Sequence, residues 1–322
     1  MEKSDLRIVF FGTPDFAVGS LRRLVESGYA VVAVVTQPDK VVGRHASVLQ
    51  APPVKRYAAS VGIPVLQPER LKDAAFLADL ASFAADLHIV VAYRVLPEAV
   101  WAMPRFGTFN VHASLLPQYR GAAPINWAII RGEKVTGVTT FFLDREIDTG
   151  RIIMQRPYAI DPDADVERVY GDLMQLGAEL CTDTVDAIIA TDGAVPTAVQ
   201  EPCGVLHKAP KIHKETCRIA WSDGAMAVNN FVRGLSPAPG AWTEMSDGSG
   251  TTTTVKIYSA AVTAVPSTDE AGTLRSAGGR LYVDTADYRL EIKTLQAAGR
   301  KRMSARDFLN GLKGSVDGYI FR

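Results

Sequence analysis

Residues 6–28 read LRIVFFGTPDFAVGSLRRLVESG, and this stretch sets the fold class. Leu6–Phe11 is an apolar run of the kind needed by a strand buried on both faces. Gly12-Thr13-Pro14 makes a turn, and Pro14 suits the first position of a helix. Phe16–Ser27 then carries helical periodicity and closes at Gly28. The same strand–helix alternation recurs along the first 190 residues. Strands are predicted at 30–35, 64–66, 87–92 and 107–112, and helices at 53–61, 74–84 and from Pro124. Repeated units of this kind imply an open, mostly parallel sheet covered by helices and wound right-handed, a Rossmann-like domain. Val138–Leu143 and Arg151–Arg156 read as an added strand pair, and Val166–Ala190 as a long amphipathic helix.

The pattern changes after Asp192-Gly193-Ala194-Val195-Pro196. Residues 191–207 lack clear periodicity and read as a linker. Beyond them come a helix at 223–235, short β-type segments at 252–258, 279–285 and 290–295, and a last helix at 304–312. Short strands with glycine-rich turns predict a smaller OB-like β-barrel domain. The expected organisation is therefore a catalytic domain at 1–190, a linker at 191–207 and a barrel domain at 208–322.

A chain of 322 residues exceeds the size at which single cores usually stop growing, in line with two domains. Hydrophobic residues make up 47% and charged residues 22%, which places it among globular proteins rather than disordered ones. No apolar run reaches the roughly 18 residues of a membrane span, and the polar start Met1-Glu2-Lys3-Ser4-Asp5 lacks a signal-peptide core. The cytoplasm is the expected compartment and a monomer the expected state. Cys181, Cys203 and Cys217 have no CxxC spacing, and no histidine pair has a helical zinc spacing, so neither a disulfide scaffold nor a metal site is expected. Net charge is zero, but residues 201–322 carry 16 Lys+Arg against 12 Asp+Glu, and residues 1–200 carry 19 against 23. A basic C-terminal half is suited to meeting a polyanion.

The chemistry concentrates at the fifth predicted strand. Gly107–His112 delivers Asn110 and His112 at i and i+2, so a carboxamide and an imidazole project from one strand face. A strand end in an α/β sheet is where ligands bind. His112 is either a catalyst or a hydrogen-bonded core residue, whereas His88, inside a buried strand, reads as core. Asp148 ends the acidic turn Asp144-Arg145-Glu146-Ile147-Asp148-Thr149-Gly150; it is a reactive carboxylate or only turn chemistry. The first strand–helix turn around Gly12 is a ready anion site or a plain helix start. With one glycine it is no dinucleotide fingerprint.

Asn110-Val111-His112-Ala113-Ser114-Leu115-Leu116-Pro117, with Tyr119-Arg120-Gly121-Ala122-Ala123-Pro124-Ile125, resembles the core motif of the folate-dependent formyltransferases. Asp148-Thr149-Gly150 stands at the distance expected for that family's catalytic aspartate. Phe11-Gly12-Thr13-Pro14-Asp15-Phe16-Ala17, Thr36-Gln37-Pro38-Asp39 and Gln296–Ala305 are similar to the branch whose acceptor is methionyl initiator tRNA. The resemblance implies a formyl transfer from 10-formyltetrahydrofolate to an α-amine, with no metal. It assigns catalysis to Asn110, His112 and Asp148, with an oxyanion held by Asn110 and His112. It assigns folate binding to Ser114, Leu115, Leu116 and Pro117, with Val91, Ala92 and Tyr93 beside them. Gly12 and Arg44 would face the tRNA and its aminoacyl group. The loop 40–47 keeps Arg44 but is poor in other basic residues; Lys208, Lys211, Lys214, Arg300, Lys301 and Arg302 are the remaining candidates for phosphate contact.

Overall fold

In the computed structural model the described residues are 1–42, 48–202, 204–247, 250–312 and 315–322. Arg44 and Cys203 lie outside them. The chain divides into two compact units.

The first unit comprises residues 1–121, 135–159 and 170–208. Its strands are β1 (Ile8–Gly12), β2 (Val31–Val35), β3 (Val65–Leu66), β4 (Leu87–Val91), β5 (Thr108–His112), β6 (Val135–Phe142) and β7 (Ile152–Ala159). They form one sheet in the order β7-β6-β5-β4-β1-β2-β3. The five strands from β5 to β3 run parallel, while β6 and β7 are antiparallel additions. Every residue of β1 and β4 is buried, as their mainly apolar sequences favour, with His88 of β4 enclosed among them. The edge strand β7 instead alternates exposed and half-buried residues.

Helices α1 (Asp15–Glu26), α2 (Pro53–Ser60), α3 (Ala74–Ser82) and α4 (Glu98–Trp101) connect the parallel strands. One core layer gathers Val9, Phe11, Ala33, Val35, Leu80, Val90 and Val100. Phe109 and Phe141, on the paired β5 and β6, are fully buried. Truncating either to alanine is expected to cost about 3–5 kcal/mol.

The second unit comprises residues 122–134, 160–169 and 209–322. It includes helices α5 (Pro124–Ile130), α7 (Ala225–Leu235) and α8 (Ala305–Gly311); the long α6 (Val166–Ala190) has its first turn here. The close approach of α5 and α7 explains Gly234: a Cβ there would sit 2.7 Å from Ile130 Cγ1 and 3.1 Å from the Asn126 carbonyl oxygen. Strands β8 (Ala241–Ser246), β9 (Thr252–Pro266), β10 (Leu274–Ala277), β11 (Arg280–Asp284), β12 (Tyr288–Ala297) and β13 (Ile320–Phe321) form an antiparallel sheet in the order β10-β11-β12-β9-β8-β13. A bridge between Thr273 and Ile320 brings the two edges together, so the sheet curls toward closure. This is the small barrel-like domain expected from the glycine-rich turns. Strand β9 runs 15 residues, well past the predicted end at Tyr258, because register shifts let it bend without breaking.

Candidate active site

Asn110 and His112 sit on β5, in register with Phe141 and Thr139 of the neighbouring β6. His112 is 6% exposed. Its Nε2 lies 3.0 Å from the Tyr119 carbonyl oxygen, which can only accept, so Nε2 carries a proton. The other ring nitrogen, Nδ1, stands 4.0 Å from Asp148 Oδ2. One nitrogen thus fixes the imidazole, and Nδ1 faces the carboxylate. Asn110 is half-buried, and no described residue hydrogen-bonds its carboxamide.

The acidic turn brings Asp148 in by local hydrogen bonding. Asp144 Oδ1 accepts from the Glu146 backbone N–H at 3.0 Å and the Thr149 hydroxyl at 2.8 Å. Gly121 donates its backbone N–H to Asp148 Oδ2 at 2.9 Å. Gly150 closes the turn against Phe142, where a Cβ would fall 1.7 Å from the carbonyl oxygen.

The left-handed backbone is concentrated here. Three non-glycine residues of this region have positive φ: Ala92 at 49°, Tyr119 at 60° and Asp148 at 57°. Such conformations cost of the order of 1–3 kcal/mol each and persist only where the surroundings impose them.

The Ser114–Pro117 loop is fastened from beneath. Ser114 donates its hydroxyl to the Gln118 carbonyl at 2.6 Å. Thr139 donates to the Ser114 carbonyl at 2.6 Å and accepts from the Leu116 N–H at 3.1 Å. Gln155 donates to the Leu116 carbonyl at 2.8 Å. Leu116 is therefore buried with both backbone groups bonded to protein. Leu115 lies against Gly137, where an added Cβ would approach its Cδ2 to 2.6 Å. The Leu116-Pro117 peptide is cis.

On the other side, Val91 is buried, Ala92 is exposed and Tyr93 is half-buried at the end of β4. Burial pushes the Tyr93 phenol above its ordinary range, and Arg94, whose Nε donates to it at 3.3 Å, pulls it partly back. A cavity of about 650 Å³ opens next along the chain, between Val95–Ala99 and residues Leu71, Lys72 and Leu77. Asn110, His112 and Asp148 do not line it.

Gly12 has a packing explanation. It is buried, and a Cβ would meet Ala17 Cβ at 2.6 Å, Phe10 at 2.9 Å and the Val91 carbonyl at 3.1 Å. The hairpin of Lys40–Val42 with Val48–Gln50 flanks the position of Arg44. Lys208, Lys211, Lys214, Arg300, Lys301 and Arg302 are all exposed. In the second unit the Arg302 guanidinium stacks 4.3 Å from the Tyr258 ring centre, and Arg218 lies 5.4 Å from that of Trp242. Among the described residues there is no cluster of three or more metal-ligating side chains, and no helix is long and apolar enough to cross a membrane.

Gln200, which sequence reasoning passed over, is a further member of the site. It is 7% exposed, donates to the Asp148 and Gly150 carbonyls at 3.0 and 2.8 Å, and accepts from Arg120 Nε and Nη2 at 3.0 and 2.7 Å.

Comparison with known proteins agrees with this architecture. A family model described as formyl transferase matches residues 6–185, and one described as formyl transferase, C-terminal domain, matches residues 211–313. The methionyl-tRNA formyltransferase of Parabacteroides distasonis is 55% identical over 317 residues, 97% of this chain and 98% of that protein. Those of Phocaeicola vulgatus and Bacteroides thetaiotaomicron are 54% and 50% identical, covering 98% and 99% of both chains. Among solved structures, HypX from Aquifex aeolicus in complex with tetrahydrofolic acid has a TM-score of 0.62 at 19% identity, over 96% of this chain and 48% of that one. The sugar 3N-formyl transferase WlaRD, in the presence of dTDP and 5-N-formyl-THF, has a TM-score of 0.62 at 16% identity, over 92% and 99%. These two are likenesses of fold. Given the N-terminal match across more than half of the sequence and relatives at 50–55% identity over nearly its whole length, the chain belongs to the formyl transferase family.

Proposed function

We propose that this protein transfers the formyl group of 10-formyltetrahydrofolate to the α-amino group of methionyl initiator tRNA. The observation that carries this reading is the 55% identity to a methionyl-tRNA formyltransferase over 97% of the chain, extending through both units. In the first unit a carboxamide, a tethered imidazole and a carboxylate come from β5 and the turn after β6.

The reaction begins with the neutral amine, whose pKa of about 7.7–8 leaves roughly a tenth to a sixth of it unprotonated at about pH 7. Its lone pair attacks the formyl carbon, and the carbonyl electrons move onto oxygen. Asn110 Nδ2 donates to that oxyanion. Asp148 takes the proton released by the amine, directly or through His112 Nδ1. With Nε2–H held by Tyr119, a protonated Nδ1 is the ring's one means of donating to the oxyanion or to the departing nitrogen. The folate C–N10 bond then breaks, the proton that Asp148 took passes to N10 and restores the carboxylate, and tetrahydrofolate and the formylated aminoacyl-tRNA leave. The chemistry asks for positioning, charge stabilisation and proton movement, with no acyl-enzyme stage.

The folate is read as lying along the Ser114–Pro117 loop and the Val91–Tyr93 strand end. The exposed basic residues of the second unit, with their stacked Tyr258 and Trp242, are read as RNA-facing, since cations and aromatic faces together suit a nucleic-acid strand. Action as a single chain in the cytoplasm is part of the same reading. The test is an acceptor choice: 10-formyltetrahydrofolate is supplied with methionyl-tRNA, an amino-sugar nucleotide or a phosphoribosyl amine. Formylation of methionyl-tRNA alone is expected, and formylation of either small amine in preference to it would overturn the assignment.

A further inference from the structure

The segment around Ala198 runs beside the start of β7 and turns at Gln200, where the Glu201 N–H donates to the Val199 carbonyl at 3.0 Å. Ile152 and Ala198 exchange both backbone hydrogen bonds at 2.8 Å, and the Arg151 guanidinium grips Thr197 at its hydroxyl (2.6 Å) and carbonyl (2.9 Å). From this rail Gln200 turns inward. Its amide has two donors and two acceptor positions, and all four are used. Nε2 spans the Asp148 and Gly150 carbonyls, while Oε1 takes two hydrogen bonds from Arg120. Gly121, the next residue along, donates to the Asp148 carboxylate. A closed ring results: Gln200 to Arg120, Arg120 along the chain to Gly121, Gly121 to Asp148, and Asp148 back to Gln200.

Asp148 lies outside any helix or strand and holds φ at 57°. Nothing in its own local sequence beyond the Asp144 turn keeps it there, so the cross-links from other segments decide where its carboxylate points. We infer that Gln200 is a positioning residue for Asp148, setting the carboxylate against His112 Nδ1 through the two carbonyls it binds. The inference rests on the reading of Asp148 as the group that accepts the amine proton. Glutamine fits this place where glutamate does not. A carboxylate would still accept from Arg120 but would set oxygen against the Asp148 and Gly150 carbonyl oxygens, where two donors are needed.

The test uses the full chain and four variants: Gln200→Glu, Gln200→Met, Asp148→Asn and the double variant Gln200→Glu/Asp148→Asn. Turnover and KM for both substrates are measured, with the melting temperature as a check on folding. Misplacement by about an ångström typically costs on the order of 10²-fold in rate. The Gln200 variants are therefore expected to lose about 10²-fold in kcat while KM for the folate stays within about threefold. The double variant is expected to be no slower than Asp148→Asn alone, because a residue acting through Asp148 has nothing left to position.

Turnover of both Gln200 variants within twofold of the parent, alongside an impaired Asp148→Asn, would overturn the inference and leave the reading of Asp148 intact. A double variant slower by the full product of the two losses would also overturn it. Parental turnover in Asp148→Asn would instead overturn the underlying reading. If neither Gln200 variant folds, Arg120→Met, which strips Oε1 of both donors, is expected to show the same loss of kcat at unchanged folate KM; unchanged kcat there would count against the inference.

Discussion

His112 Nδ1 stands 4.0 Å from Asp148 Oδ2, with both side chains almost wholly buried. The imidazole reaches the carboxylate with the one nitrogen that Tyr119 leaves free for chemistry. Replacing Asp148 by asparagine keeps an acceptor for the Gly121 N–H but removes the carboxylate proposed to accept the amine proton. Turnover is expected to fall by about 10²–10⁴, the usual range for a positioned acid–base group. Steady-state kinetics at saturating folate checks this, and a loss below about threefold would contradict it.

Asn110 differs in carrying no protein partner for its carboxamide among the described residues. Asn110→Ala is expected to lower kcat by about 10²–10³ through loss of one oxyanion donor. Its melting temperature should stay near the parent's, since no protein hydrogen bond is broken. Near-normal turnover would remove Asn110 from the site.

Gly150 marks how little space the Asp148 turn has. Gly150→Ala places a Cβ 1.7 Å from the Phe142 carbonyl oxygen, so the backbone of the turn must shift. A loss of turnover of about 10²-fold or more is expected, together with a lower melting temperature. Gly171 in α6 is the control, because a Cβ there meets nothing within 4 Å. Gly171→Ala should leave activity unchanged and stabilise the fold by about 0.5–1 kcal/mol.

His88 gives the fold an acid-sensitive point. The ring is wholly buried beside Phe11, and neither nitrogen has a hydrogen-bond partner among the described residues. Burial pushes its pKa down to about 4; a Val100 backbone group pulls weakly the other way but falls short of a hydrogen bond by geometry. The unfolded chain binds this proton near pH 6.5 and the folded protein only near pH 4. Stability is thus unaffected above about pH 6.5, falls between 6.5 and 4, and levels off below. The full loss is of the order of 3 kcal/mol. Urea unfolding across that interval should show a shallower pH dependence in His88→Leu than in the parent; equal slopes would contradict the burial account.

The exposed lysines and arginines assigned to RNA contact predict a dependence on salt. Raising monovalent salt from about 50 to 200 mM should increase KM for methionyl-tRNA by at least about tenfold while KM for the folate changes little. A flat response in the tRNA would leave those side chains without that role.

Much of the fold was legible because buried parallel strands announce themselves. The predicted strands at 87–92 and 107–112 lie within a residue of β4 and β5, and α6 spans Val166–Ala190 as its periodicity indicates. The elements with no local signature are short or paired at long range. The hairpin at 40–42 and 48–50 is three residues a side, and β8 was hidden behind the proline-rich Ser236–Trp242 stretch. Strand β13 gains meaning only from partners about 75 residues upstream in β8.

A similar limit applies to the site. The shared face of Asn110 and His112 follows from strand alternation alone. Which nitrogen of His112 is available depends on Tyr119 folding back over it, and no spacing rule carries that. Gln200 is a lone polar residue in an irregular segment, with partners 50 to 80 positions away. Close packing alone requires glycine at position 12, whatever the turn faces.

Formyl transfer at this site is proposed to run directly from folate to aminoacyl-tRNA. The most direct measurement is a single turnover with 10-formyltetrahydrofolate labelled in its formyl carbon, quenched at intervals and separated into folate, protein and tRNA. Label should leave the folate and appear on the methionine of the tRNA at one common rate, with none bound covalently to protein and none moving in the absence of acceptor. A protein-bound formyl pool that fills before the tRNA is labelled, or a methionyl-tRNA that never acquires label, would contradict the account.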